Sequence, residues 1–200
     1  MALILKIIIR NNTIFNPIRW RDKMEIAKLA FLETYTLSEN GGVMGAILVT
    51  DSETKPLEFR VTAPIRPTSF QKTLYGDVLL EHILVELISV PLLNAVNEQI
   101  DLIIVKDPLF LGANNKQGIR VVRLVGDEKQ KSRNNTVLEA LNTPMNGAAK
   151  AHLETSQKFA EELKGIKASL EKIAEARNLS EPFERLKAAC EQVQLQRTND

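Results

Sequence analysis

Polar and apolar positions divide the chain into stretches of distinct period. Residues 43–50, VMGAILVT, follow the pair Gly41–Gly42 and form an apolar run that ends at Asp51. That is the pattern of a strand buried on both faces. A short polar break, SETKP, leads to LEFRVT, where Leu57, Phe59 and Val61 alternate with Glu58, Arg60 and Thr62. This predicts a strand with one packed face and one wet face. Two prolines in APIRPTSFQ stop it, and Thr68 or Ser69 can cap a helix that follows. Gly76 is a point where that helix can break. From Asp77 to Val90 the apolar positions Leu79, Leu80, Ile83, Leu84, Leu87 and Val90 cover one broad face, with Asp77, Glu81, His82, Glu86 and Ser89 outside it. Such a helix lies across a sheet, and Pro91 is expected to end or kink it. IDLIIVK and IRVVRLV read as two more strands around the turn-rich loop LGANNKQG. The first returns parallel by a right-handed crossover.

The flanks are less regular. ALILKIIIR is apolar, but it is too short for a membrane span and carries Lys6 inside it. Its order of charged and apolar residues is not that of a signal peptide, and residues 2–9 read as a strand. A helix is expected over 21–34 from Met24, Ala27, Leu29, Phe31 and Leu32, although AFLETYTL also has the β-branched and aromatic content of a strand. Beyond Gly126 the composition shifts: DEKQKSRNN has no apolar residue and reads as an exposed linker. Further on, Phe159, Leu163, Ile166, Leu170 and Ile173 are spaced four, three, four, three, a heptad seam. Ser180 can cap a last helix in which Phe183, Leu186, Cys190 and Val193 repeat the pattern.

The expected architecture is α/β, with α+β as the alternative. An α/β domain over residues 1–126 holds a mixed β-sheet of about five strands with packed helices. A linker region over 127–147 and a C-terminal helical hairpin over 148–198 follow.

Charge narrows the partners. Residues 1–126 carry 14 Lys/Arg against 13 Asp/Glu, and the remainder carries 12 against 12. No part has the basic excess that nonspecific nucleic-acid binding normally requires, so the chain gives no strong nucleic-acid signal. Cys190 is the one cysteine, which excludes an internal disulfide and fits a reducing, cytoplasmic setting.

Recognisable cofactor chemistry is missing. No G-x-G-x-x-G or G-x-x-x-x-G-K-[ST] occurs, and GGVMG precedes a strand where a dinucleotide fingerprint follows one. One Cys and two His, His82 and His152, exclude a cysteine–histidine metal site. No Ser stands in G-x-S-x-G. Carboxylates offer a chemical hypothesis: Asp51 follows the strand AILVT and Asp107 follows LIIVK, and ligands gather beyond the carboxyl ends of strands in open α/β sheets. With Glu58 they could hold Mg²⁺ and position hydroxide for phosphodiester cleavage. This arrangement resembles ribonuclease-H-like sheets at the level of the fold, with no motif behind the likeness. Asp51 and Asp107 are equally ordinary turn formers. A second candidate is an anion site of Arg60, Arg66 and Lys72 around the helix start at PTSFQ. Trp20, in the basic run IRWRDK, is a candidate interface anchor.

The leading expectation is therefore a non-catalytic intracellular interaction protein, an adaptor or complex subunit without cofactor. It would dock on a protein partner or on itself through Phe159, Leu163, Ile166, Leu170, Ile173, Phe183 and Leu186, with no membrane involved. The alternative is a metal-dependent nuclease or phosphoesterase using the strand-end carboxylates. A weaker one is an anion or nucleotide sensor.

Overall fold

The computed structural model describes residues 25–37, 42–116, 118–126, 134–144 and 151–199. Seven strands are β1 (Lys28–Thr36), β2 (Val43–Asp51), β3 (Pro56–Val61), β4 (Leu102–Val105), β5 (Arg120–Gly126), β6 (Thr136–Leu141) and β7 (Ala151–Ser156). They form a mixed sheet in the order β3-β2-β1-β4-β5-β7-β6. β1, β4 and β5 run parallel in its centre, and the other neighbours are antiparallel. The helices are α1 (Ser69–Ala95), α2 (Ala160–Ala174) and α3 (Glu181–Asn199). A 3₁₀ stretch, Pro108–Asn115, links β4 to β5.

The sheet is covered on both faces. Leu29, Phe31, Leu102, Ile104, Val122, Leu124 and Leu153 pack against Leu163, Ile166, Leu170 and Phe183 of α2 and α3. On the other face Ala30, Leu32, Ile47, Val49, Ile103 and Val105 pack against Ile83, Leu84, Val85, Ile88 and Leu92 of α1 and against Phe110. Full burial of one such side chain contributes about 1.5–3 kcal/mol, so both layers are needed to close the core. The α/β class and the C-terminal helical hairpin are as expected, with seven strands among the described residues where about five were predicted.

Several expectations need correction. The helix over 21–34 is instead β1 where described, beginning at Lys28. Leu29 to Leu32 are all fully buried because β1 is central and packed on both faces, and a short apolar run of that kind has no diagnostic period. Of the two outcomes expected at Pro91, an end or a kink, the end does not occur, since α1 continues to Ala95. Ahead of it the helix widens to π geometry over Ile83–Ser89, with the Ser89 hydroxyl donating to the Leu84 carbonyl at 2.7 Å, and the missing proline amide is absorbed in that turn. Strand β6 lies in the stretch read as linker and β7 at the start of the stretch read as hairpin. The supposed docking seam of Phe159, Leu163, Ile166, Leu170, Phe183 and Leu186 is buried within the chain, with Ile173 packed at its margin. The domain division at 126 is thus replaced by one shared core. The strand over 2–9 and Trp20 lie outside the described residues.

Local chemistry explains the remaining features. Thr68 and Gln71 form a reciprocal capping box at the start of α1, and Gly76 interrupts that helix at φ +51°. α1 is long and apolar enough to cross a membrane by length and composition, and its second half is packed on the sheet instead. A Cβ at Gly45 would stand 2.0 Å from Ile88 Cγ2, so only glycine lets α1 settle onto β2.

Candidate functional site

The expected convergence of Asp51 and Asp107 does not occur. β2 is antiparallel to β1 and β4 is parallel to it, with Lys28 opposite Asp51 and Leu29 opposite Leu102. Asp51 therefore sits level with the start of β4, and Asp107 lies beyond its end, about 20 Å further along at 3.3 Å per residue. Asp51 serves the β2–β3 turn, accepting the amides of Glu53 and Lys55 at 2.9 Å. Glu58 accepts the amides of Asn97 and Glu98 at 2.9 and 3.0 Å. The Glu98 amide is the first cause holding its carboxyl below the ordinary range. The anion site is likewise not assembled: Arg60 is ion-paired to Glu58 at 2.6 Å, the helix start at Ser69, one turn before Lys72, is closed by the Thr68–Gln71 capping box, and Arg66 lies beside Gly42. His82 stacks on Tyr75 with ring centroids 4.7 Å apart.

A different carboxylate occupies the carboxyl edge of the parallel strands. Glu33 is in phase with Leu29 and Phe31, so its side chain emerges on the face covered by α2 and α3. Lys106 is in phase with Leu102 and Ile104 and emerges on the same face. Leu32 and Val105 are the last register partners of β1 and β4, and Glu33 and Lys106 are the next residue on each strand. They line a cavity of about 270 Å³. Thr34, Tyr35 and Thr36 of β1 and Ala46 of β2 form its floor, and Phe183, Glu184, Leu186, Lys187 and Cys190 of α3 form its roof. Burial raises the Glu33 pKa, against the lowering effects of the Thr34 amide and Lys106, and Asp107 adds a further rise. The Lys106 ammonium lies 4.6 Å from the centroid of the Phe183 ring, a cation–π contact. Burial pushes the Cys190 thiol up to about 11.

Behind this pair is a buried polar network. Arg123 on β5 donates through Nε to the Lys106 carbonyl at 2.9 Å and through Nη1 to Glu154 at 2.6 Å. Glu154 is fully buried and also accepts the Thr136 hydroxyl at 2.6 Å. The end of β4 is thereby fixed from β5, β6 and β7.

The donor set does not fit the Mg²⁺ site expected from the sequence. Among the described residues no group of three or more His, Cys, Asp or Glu side chains could hold a metal ion. The residue beside Glu33 on the neighbouring strand is a lysine. Asp107 is engaged by the Leu109 amide at 2.8 Å as the cap of the 3₁₀ stretch.

Sequence reasoning passed over Glu33 because a helix was assigned there. The available signal was a charged residue in phase with a core face, Leu29–Phe31–Glu33, matched by Leu102–Ile104–Lys106.

A central trio of parallel strands with antiparallel flanks defines a mixed α/β fold that recurs among solved structures. The chain is similar to the crystal structure of human ENDOV, with a TM-score of 0.51, 8% identity, and coverage of 88% of this chain and 87% of that one. It is also similar to the endonuclease V of Streptomyces avermitilis, with a TM-score of 0.50, 12% identity, and coverage of 88% and 86%. No protein-family model matches the sequence, and no curated protein matches it. At these identities the likeness establishes the fold. The expectation of a non-catalytic adaptor or complex subunit with no strong nucleic-acid signal is corrected on two findings: the helices meant for docking belong to the chain's own core, and the fold is the one found in human ENDOV and in the endonuclease V of Streptomyces avermitilis.

Proposed function

We propose that the chain binds nucleic acid and cleaves its phosphodiester bonds at the carboxyl ends of β1 and β4, with Glu33 and Lys106 as the working pair. The observation that carries this reading is the half-buried Glu33 beside Lys106 on a strand edge where open sheets gather ligands. The likeness of fold to human ENDOV and to the endonuclease V of Streptomyces avermitilis supports it. A carboxylate whose pKa is raised by burial is better matched to taking a proton from water near neutral pH. Lys106, a compact point charge, would hold a non-bridging phosphate oxygen and stabilise the charge that gathers there as water attacks phosphorus, the P–O ester bond breaks and the departing alkoxide takes a proton from solvent.

End-labelled DNA and RNA oligonucleotides, single- and double-stranded, test the reading on gels. Cleavage is expected, with Glu33→Gln lowering its rate by about 10²–10⁴. Full activity in Glu33→Gln would remove Glu33 from the mechanism. Binding without cleavage is the second reading, favoured by the roof that α3 places over the pair and by the contact of Lys106 with Phe183. Oligonucleotide retained intact by the wild type and released by Lys106→Met would select it.

A further inference from the structure

The register of β1 and β4 says what supplies positive charge at the strand edge. A hard divalent cation takes several oxygen ligands, and even Mg²⁺ sites built with substrate phosphates use one or two protein carboxylates. Glu33 supplies one. The residue next to it on the parallel neighbour, in the same phase and in the same cavity, is Lys106. Its backbone is fixed, with the carbonyl held by Arg123 and Arg123 anchored on the buried Glu154, and its exposed side chain places the ammonium 4.6 Å from the Phe183 ring centroid. An ammonium in that place both removes a ligand and repels an incoming cation.

We infer that Lys106 stands in for a divalent cation at this site, so that the chain engages nucleic-acid phosphate with its own ammonium and without Mg²⁺ or Mn²⁺. The inference rests on the reading of this strand edge as the phosphate site. It differs from the expectation of a carboxylate-held metal in one residue, and that residue can be exchanged.

The test uses the full chain and Mn²⁺ alone as the first probe. Wild-type melting temperature is expected to be indifferent to millimolar Mn²⁺. Lys106→Asp, which places a second carboxylate beside Glu33, should acquire a melting temperature that climbs with Mn²⁺ concentration, as mass action requires. The double variant Lys106→Asp/Glu33→Gln should lose that gain. Mn²⁺ stabilisation of the wild type that disappears in Glu33→Gln would overturn the inference, and this arm needs no Lys106 variant to fold. In the second arm a fluorescent oligonucleotide is bound by the wild type in EDTA and in Mg²⁺. Equal affinity supports the inference, and binding seen only with Mg²⁺ overturns it. Absence of oligonucleotide binding in both conditions would sink the phosphate-site reading and with it the phosphate half of the inference. Whether Lys106 excludes a cation would still be decided by the Mn²⁺ arm.

Discussion

Leu163→Ala asks whether the C-terminal helices belong to the core or wait for a partner. Leu163 is fully buried on α2 and shares a cluster with Leu29, Phe31, Leu102 and Leu153 of the sheet. Truncating a buried leucine costs about 2–5 kcal/mol, the larger values where the surroundings cannot close on the void. Here the opposite wall is a row of strands held in register by their hydrogen-bond ladders, which cannot move singly into the gap. The upper half of that range, about 3–5 kcal/mol, is therefore expected. At about 2–4 °C per kcal/mol for a chain of this size, the melting temperature should fall by roughly 10 °C. Urea unfolding at neutral pH measures it as a lower midpoint at unchanged slope. The exposed neighbour Lys164→Ala should stay within about 0.5 kcal/mol of wild type. Leu163→Asp combined with Leu170→Asp puts two charges where no water reaches, at several kcal/mol each, against a total stability of about 5–15 kcal/mol for a typical domain. That chain should not fold. A folded double variant, or a midpoint for Leu163→Ala indistinguishable from wild type, would return the helices to the status of an appendage.

Glu33 gives a pH signature. Its folded pKa lies above the ordinary value of 4.5, so the native state binds the extra proton and stability falls as pH rises from 4.5 through the folded value. Glu33→Gln should match wild type on the acid side of that window and surpass it above, in urea unfolding compared at the two ends; a difference that ignores pH would refute the cause assigned to the shift. Gly45→Ala should cost about 1–3 kcal/mol by overpacking. The added cost should nearly vanish in an Ile88→Ala background, and strict additivity in this cycle would mean that the contact with Ile88 is not what excludes the methyl group. Cys190, buried and with its thiol pKa near 11, should resist a thiol reagent at neutral pH until denaturant is added, and rapid native labelling would place it at an open surface.

By itself the sequence determined the α/β class, the buried strand from Val43, the strand at Leu57–Val61 though not its packed face, since Leu57 is exposed, a helix cap at Thr68 or Ser69, and the amphipathic hairpin of α2 and α3. Each is a local pattern, carried by period, by a turn former or by a capping side chain, and needs no distant residue to be read. Its account of β1 failed because a central strand apolar on both faces has no period that separates it from a buried helix. Strand β6 was hidden in a polar, Asn-rich stretch because an edge strand demands little hydrophobicity, and β7 because two of its buried residues, Glu154 and Thr155, are polar. The tertiary structure alone decided which ends of which strands meet. Asp51 and Asp107 look equivalent along the chain, each following an apolar strand, and are separated because β2 is antiparallel to β1 while β4 is parallel to it. The same pairing sets Glu33 beside Lys106 and turns the apolar seam of α2 and α3 onto the chain's own sheet. Strand direction and order are properties of long-range pairing, in which residues more than 70 positions apart become neighbours only when the sheet closes.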